Sequence, residues 1–166
     1  MIKGIKFEDF NNYNFLYIRN VLEGIENFKH ICFTVEYEEY NLFIKTIIKN
    51  SENSFLDFYF ANIEENEKQV FYNFDNYGNI IKRFKFEKDK IYFNINNLDN
   101  KIIDFITEIS YKEILFSTFY FKNPNMTLWT NYNKQFILFF EDNVDILKYK
   151  NLAKELNLKF YLKKYR

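Results

Sequence analysis

The chain of 166 residues carries 23 basic and 23 acidic side chains, one cysteine, one histidine and three glycines. That length fits one α+β-sized domain, residues 1–166, able to bury a core without disulfides or metals. Zero net charge gives no general attraction to nucleic acid, and no stretch approaches the ~18 apolar residues of a membrane span.

The segment from Met1 to Asp9 has neither the apolar run nor the small-residue site of a signal peptide. One cysteine, Cys32, cannot form an intrachain disulfide and suits a reducing compartment. The expected location is the cytoplasm. The 22 Phe and 14 Tyr stand against one Pro and three Gly. Phe, Tyr, Ile, Asn and Lys have A/T-rich codons, so part of the aromatic excess reads as genome composition. Its physical effect is a core filled by few, large side chains.

Phe15, Ile18, Leu22 and Ile25 recur at helical spacing, so a first helix is expected over Phe10 to Glu23, with Gly24 near its end. Ile31, Phe33, Val35 and Tyr37 alternate with polar or small residues and predict a strand with one buried face. Tyr40, Phe43, Ile44, Ile47 and Ile48 predict a helix over Glu38 to Lys49. Leu56 to Phe60, Val70 to Phe74, Ile80 to Phe86 and Ile91 to Ile95 then alternate as a β-meander, with a turn over Asp75 to Asn79 in which Gly78 or an Asx residue takes positive φ. Asn97 is placed to cap a helix with the face Leu98, Ile102, Phe105, Ile106 and Ile109.

Ile114 to Phe121 is apolar on both faces and predicts a central strand. A turn at Asn123-Pro124-Asn125 leads into a hairpin of Thr127 to Tyr132 and Gln135 to Phe140 about Asn133-Lys134. Asp142, with Asp145, is placed to cap a last helix whose face is Val144, Leu147, Leu152 and Leu156, with Asn157 past its end. Leu158, Phe160 and Leu162 form a closing strand, joined to its predecessor by a crossover that suggests one parallel pair. The fold class is α+β: a largely antiparallel sheet of about 7–8 strands, with about 4 helices mainly on one face.

Chemistry-bearing motifs are sparse. His30 and Cys32 point to one strand face, but a strand-edge histidine and a packed cysteine explain them without a nucleophile. Gly4, Gly24 and Gly78 are isolated, so neither a P-loop nor a dinucleotide fingerprint can be written. No metal and no cofactor is expected. Asp75 to Asn79 lacks the later glutamate of a calcium loop.

Three features remain. Glu36, Glu38 and Glu39, and again Glu64, Glu65 and Glu67, form acidic groups suited to a basic protein partner. Trp129, Asn131 and Tyr132, with neighbouring threonines, have the composition of a contact surface. Lys148, Lys150, Lys154, Lys159, Lys163, Lys164 and Arg166 interleave with Tyr149, Phe160, Tyr161 and Tyr165, the mixture that binds single-stranded nucleic acid, although Phe160 also reads as core. The leading expectation is a non-catalytic protein–protein interaction module, such as a bacterial immunity or inhibitor protein masking a basic toxin domain. The alternatives are a small-ligand binder or enzyme with an aromatic, carboxylate-containing pocket, and a nucleic-acid binder acting through the basic end. A membrane partner is not expected.

Overall fold

The computed structural model describes residues 1–160, and Asn131 by its backbone alone. The strands in chain order are β1 (Ile2–Lys3), β2 (Lys29–Thr34), β3 (Asn53–Asp57), β4 (Phe84–Lys85), β5 (Tyr92–Asn94), β6 (Thr118–Lys122), β7 (Met126–Asn131), β8 (Gln135–Phe140) and β9 (Lys159–Phe160). Seven of them make one antiparallel sheet in the order β5-β3-β6-β7-β8-β2-β9, and β1 pairs with β4 in parallel. The helices are α1 (Phe7–Asn11), α2 (Val21–Asn27), α3 (Tyr37–Lys49), α4 (Tyr77–Ile81), α5 (Asn100–Tyr111) and α6 (Ile146–Glu155), with 3-10 turns at Phe60–Asn62 and Glu67–Asn73. The α+β class and the antiparallel sheet agree with the sequence expectation. No helix among the described residues is long and apolar enough to cross a membrane.

Successive side chains on a strand point to opposite faces, and here both faces are buried. On β8, Phe136, Leu138 and Phe140 join the main core beneath α3, α5 and α6, while Ile137 and Phe139 enter a second cluster behind the sheet. The main core takes Phe33 from β2, Leu56 from β3, Phe119 and Phe121 from β6 and Leu128 from β7. α3 and α5 are locked together by polar groups as well. Asn41 donates to Thr107 Oγ1 (2.7 Å) and Asp104 Oδ1 (2.9 Å), and Lys45 pairs with Asp104.

The other face is covered by the first 28 residues rather than by long helices. Phe10 and Phe15 pack on Phe55, Tyr92 and Tyr120; Leu16 and Ile18 pack on Cys32, Ile137 and Phe139. The expected helix over Phe10 to Glu23 is therefore two short helices joined by an irregular strap. Asn14, at φ 53°, breaks the helix, and Asn20 starts α2 by accepting from the Glu23 N–H (3.0 Å). The strap follows its own alternation, with Phe15, Leu16 and Ile18 buried and Tyr17 and Arg19 exposed. Leu22, expected in the core, is 52 % exposed. Covering the second face also buries Cys32, so β2 lacks the single buried face expected of it.

The expected meander is absent. Phe71, Phe74, Tyr77 and Ile80 recur every third residue, a spacing that suits the 3-10 turn carrying Phe71 and the short helix α4 carrying Tyr77 and Ile80. Val70 and Tyr72, which a strand would have turned inward or paired, stand exposed. The positive φ in that turn belongs to Asn76 (62°), while Gly78 lies within α4. Aromatic side chains hold this lobe together: Phe60 with Phe71 at 5.3 Å, Phe84 with Phe86 at 5.3 Å and Tyr77 with Phe105 at 6.2 Å between ring centres.

Elsewhere the differences are shifts of register and cap. α5 is capped by Asp99, whose carboxylate accepts from the Ile102 N–H, rather than by Asn97. α6 is capped by Asp145 rather than Asp142, and it buries Tyr149 and Ala153 while Leu147 is 62 % exposed. Residues 114–117 lie outside β6, which begins at Thr118. The hairpin of β7 and β8 turns through the three residues between Asn131 and Gln135, of which Asn133 and Lys134, the pair expected at the turn, are at positive φ. Asn157 takes φ 60° beyond α6, as expected. β8 and β9 run parallel but are not neighbours, because β2 lies between them antiparallel to both. Phe160 is 39 % exposed and not a core residue. Leu162 lies outside the described residues.

Candidate functional site

The strap of residues 12–20 is tied to the sheet by polar bonds as well as by its buried side chains. Asn125 Oδ1 accepts from the Leu16 N–H (3.0 Å), and Asn125 Nδ2 donates to the Asn14 carbonyl (3.1 Å). Lys122 donates to the same carbonyl (2.6 Å), and the Thr127 hydroxyl donates to the Leu16 carbonyl. Phe15 goes to one apolar cluster, Leu16 and Ile18 to the other. Tyr17, between them, is left outside with its ring 6.4 Å from that of Tyr120.

Beside Tyr17 lies a cleft of about 370 Å³. Its walls are Tyr17, Ile18 and Arg19 from the strap, Asp57 and Tyr59 at the end of β3, Leu115 and Phe116 before β6, Thr118 and Tyr120 on β6, and Trp129 on β7. Register explains why these residues meet. Trp129 is the cross-strand partner of Thr118, and Leu56 that of Phe119, so Asp57 arrives opposite Thr118. Asp57 does not continue the backbone ladder there. Its side chain does so instead, Oδ1 accepting from the Thr118 N–H at 2.7 Å and Oδ2 from the Tyr120 hydroxyl at 3.2 Å.

Asp57 is only 5 % exposed and forms no ion pair among the described residues. Burial removes water from its charge and raises its pKa from the usual 3.8 to about 6, against the opposing pull of the bonds from Thr118 and Tyr120. The effect extends to the tyrosines around it. Burial, then the charge of Asp57, pushes the Tyr59 hydroxyl up to about 12. Burial also raises Tyr120 and Tyr92 far above the phenol range, with Asp57 adding to both. These hydroxyls are therefore neutral throughout the range in which Asp57 ionises. The cleft presents one desolvated carboxylate, the neutral phenols of Tyr59 and Tyr120, an indole and the exposed residue Arg19.

Of the residues singled out from sequence, Trp129 is at this site. It is half-buried, packed against the second apolar cluster on one side and lining the cleft on the other. Tyr132 is exposed beyond the end of β7, its ring edge-on to Phe116 at 5.0 Å. The Asn131 side chain lies outside the described atoms. Glu36, Glu38 and Glu39 head α3, where acidic groups complement the helix dipole. Glu36 accepts from the Tyr111 hydroxyl at 3.4 Å, and with Glu39 it borders a separate cleft beside Lys134 and Lys159. Glu67 accepts from the Glu64 N–H (2.9 Å) and Glu65 pairs with Lys68 (2.5 Å). Neither acidic group lines the Asp57 cleft. At the basic end, Tyr149 is buried under Phe140 and so is closed to base stacking, while Tyr161, Lys163, Lys164, Tyr165 and Arg166 lie outside the described residues. His30 Nδ1 lies 3.0 Å from the Phe28 carbonyl, and Cys32 is buried among Leu16, Ile18 and Ile137.

Asp57, Tyr59, Tyr17, Tyr120 and Arg19 are not distinguished by sequence spacing. The available signal is Asp57 itself, a single acid between Leu56 and Phe58 in an otherwise apolar run. Alternation alone turns it toward solvent, and only the strap covering the second face makes it a buried charge. Two other clefts have different chemistry. One of about 560 Å³ contains Arg83 and Asp99, already paired with each other. One of about 320 Å³ runs from Lys122 to Tyr149 and includes Glu141, which accepts from Asn125 (2.5 Å). The chain matches no protein-family model, no curated protein and no solved structure.

Proposed function

We propose that the chain is a binding protein whose cleft over Asp57 takes the cationic group of a small organic ligand. The observation that carries this reading is a buried carboxylate, without a cationic partner among the described residues, in a cleft walled by Tyr17, Tyr59, Tyr120 and Trp129. A buried charge is costly until it is paired. An ammonium or guanidinium group would pair it, and aromatic faces attract such cations further. The cleft lies within the size range of small-molecule sites. The aromatic, carboxylate-containing pocket is thus the favoured role. A basic protein partner held by the acidic groups draws less support, because Glu36, Glu65 and Glu67 already serve local bonds.

Trp129 is the only tryptophan in the chain and so reports on the cleft directly. Titration with benzylamine at neutral pH should change its fluorescence saturably. Asp57→Asn should weaken that binding roughly 10- to 100-fold, the worth of a charge-assisted bond. Equal binding by both proteins, or none by the wild type at millimolar ligand, refutes the reading.

A further inference from the structure

We infer that the ligand is a zwitterion, an amino carboxylate with an aromatic or apolar body, whose cation meets Asp57 and whose carboxylate meets Arg19. This rests on the reading of Asp57 as the cation acceptor and adds a second charge to it. Arg19 lines the same cleft and is exposed, and among the described residues it makes neither an ion pair nor a contact over an aromatic face. Arg83, by contrast, is paired with Asp99. The cleft thus holds one acid and one base that do not pair with each other.

Arg19 is anchored from both sides. Ile18, before it, is 3 % exposed in the second apolar cluster. Asn20, after it, is fixed as the N-cap of α2. The backbone that carries the guanidinium is therefore held, and only the side chain has to order when a ligand arrives. The planar fork of a guanidinium matches a carboxylate through two parallel N–H···O bonds. The same cleft is also walled by Tyr17, Tyr59, Leu115 and Trp129, which suit a ring or an alkyl chain. A simple amine would satisfy Asp57 and leave Arg19 without a partner. A simple carboxylate would do the reverse and face the charge of Asp57.

The test compares benzylamine, benzoate, 4-(aminomethyl)benzoate and phenylalanine on the full chain, read by Trp129 fluorescence, with Arg19→Gln as the variant. At least one zwitterion should bind wild type about tenfold more tightly than benzylamine, the worth of one charge-assisted bond. The variant should bind that zwitterion and benzylamine alike. Arg19 is exposed, so Arg19→Gln should leave folding intact, which an unchanged urea midpoint checks. If neither zwitterion exceeds benzylamine, the role of Arg19 is overturned while that of Asp57 stands. If the variant keeps the preference for the zwitterion, the role of Arg19 is likewise overturned. If neither amine nor zwitterion binds, both readings fall.

Discussion

Replacing Asp57 by Asn removes a charge from a site that opposes it, and the effect on stability can be worked from the structure. In the unfolded chain this carboxyl ionises near 3.8; in the folded chain burial raises that to about 6. At about 1.4 kcal/mol per pH unit, the ionised form is disfavoured on folding by about 3 kcal/mol. The sign follows from the proton count. Between pH 3.8 and about 6 the folded state binds more protons than the unfolded state, so this contribution to stability declines as pH rises. It is fully favourable below the unfolded value and lost above the folded one. The groups facing Asp57 do not alter this, since Tyr59, Tyr92 and Tyr120 stay neutral and Arg19 is exposed. Asn keeps a carbonyl for the Thr118 N–H. Urea denaturation of wild type and Asp57→Asn at about pH 4 and about pH 7.5 isolates the contribution, because the other carboxylates cancel in the difference. The variant should be nearly isoenergetic at the acid end and more stable by about 2–3 kcal/mol at the neutral end. A difference that does not change with pH, or a variant less stable at neutral pH, refutes the argument that Asp57 is an unpaired buried charge.

Two further outcomes follow from the covering of the second face and a third from α6 on the opposite one. Gly24→Ala places a methyl 2.5 Å from the ring of the fully buried Phe139, so overpacking outweighs the gain in helix propensity, and denaturation should show a loss of about 1–2 kcal/mol. Asn125→Ala strands the buried Leu16 N–H at a cost of about 1–3 kcal/mol, and amide exchange should accelerate over residues 14–18. Leu147→Glu, on the exposed side of α6, should stay within about 0.5 kcal/mol of wild type in the same denaturation assay.

Legibility in the sequence followed the strength of local signals. α3, α5 and the hairpin of β7 and β8 were readable because their apolar spacing and turn residues agree with their surroundings. Asparagine did the turn work that few glycines were present to do: Asn14, Asn76, Asn123, Asn133 and Asn157 all have positive φ. The strap and the aromatic lobe were not readable. Phe15, Ile18, Leu22 and Ile25 fit a helical period by spacing alone, yet the strap is held by long-range bonds to Asn125 and Thr127 that no local window contains. In the lobe, both a period of two and a period of three can be drawn through so many aromatics, and packing on Phe105 decides for three. The candidate site inherits this opacity. Trp129 stands out in the sequence as a contact-surface candidate, but Asp57 becomes unusual only when residues 10–18 fold over it.

The most direct test of the Asp57 cleft is the proton count of binding. Calorimetric titration of benzylamine near pH 6, in buffers of differing ionisation enthalpy, should release about half a proton per ligand bound, because the cation requires Asp57 ionised where it is half protonated. Release should vanish near pH 8 and in Asp57→Asn. Binding without proton release near pH 6, or the same release from the variant, would contradict the assignment of the cation to Asp57.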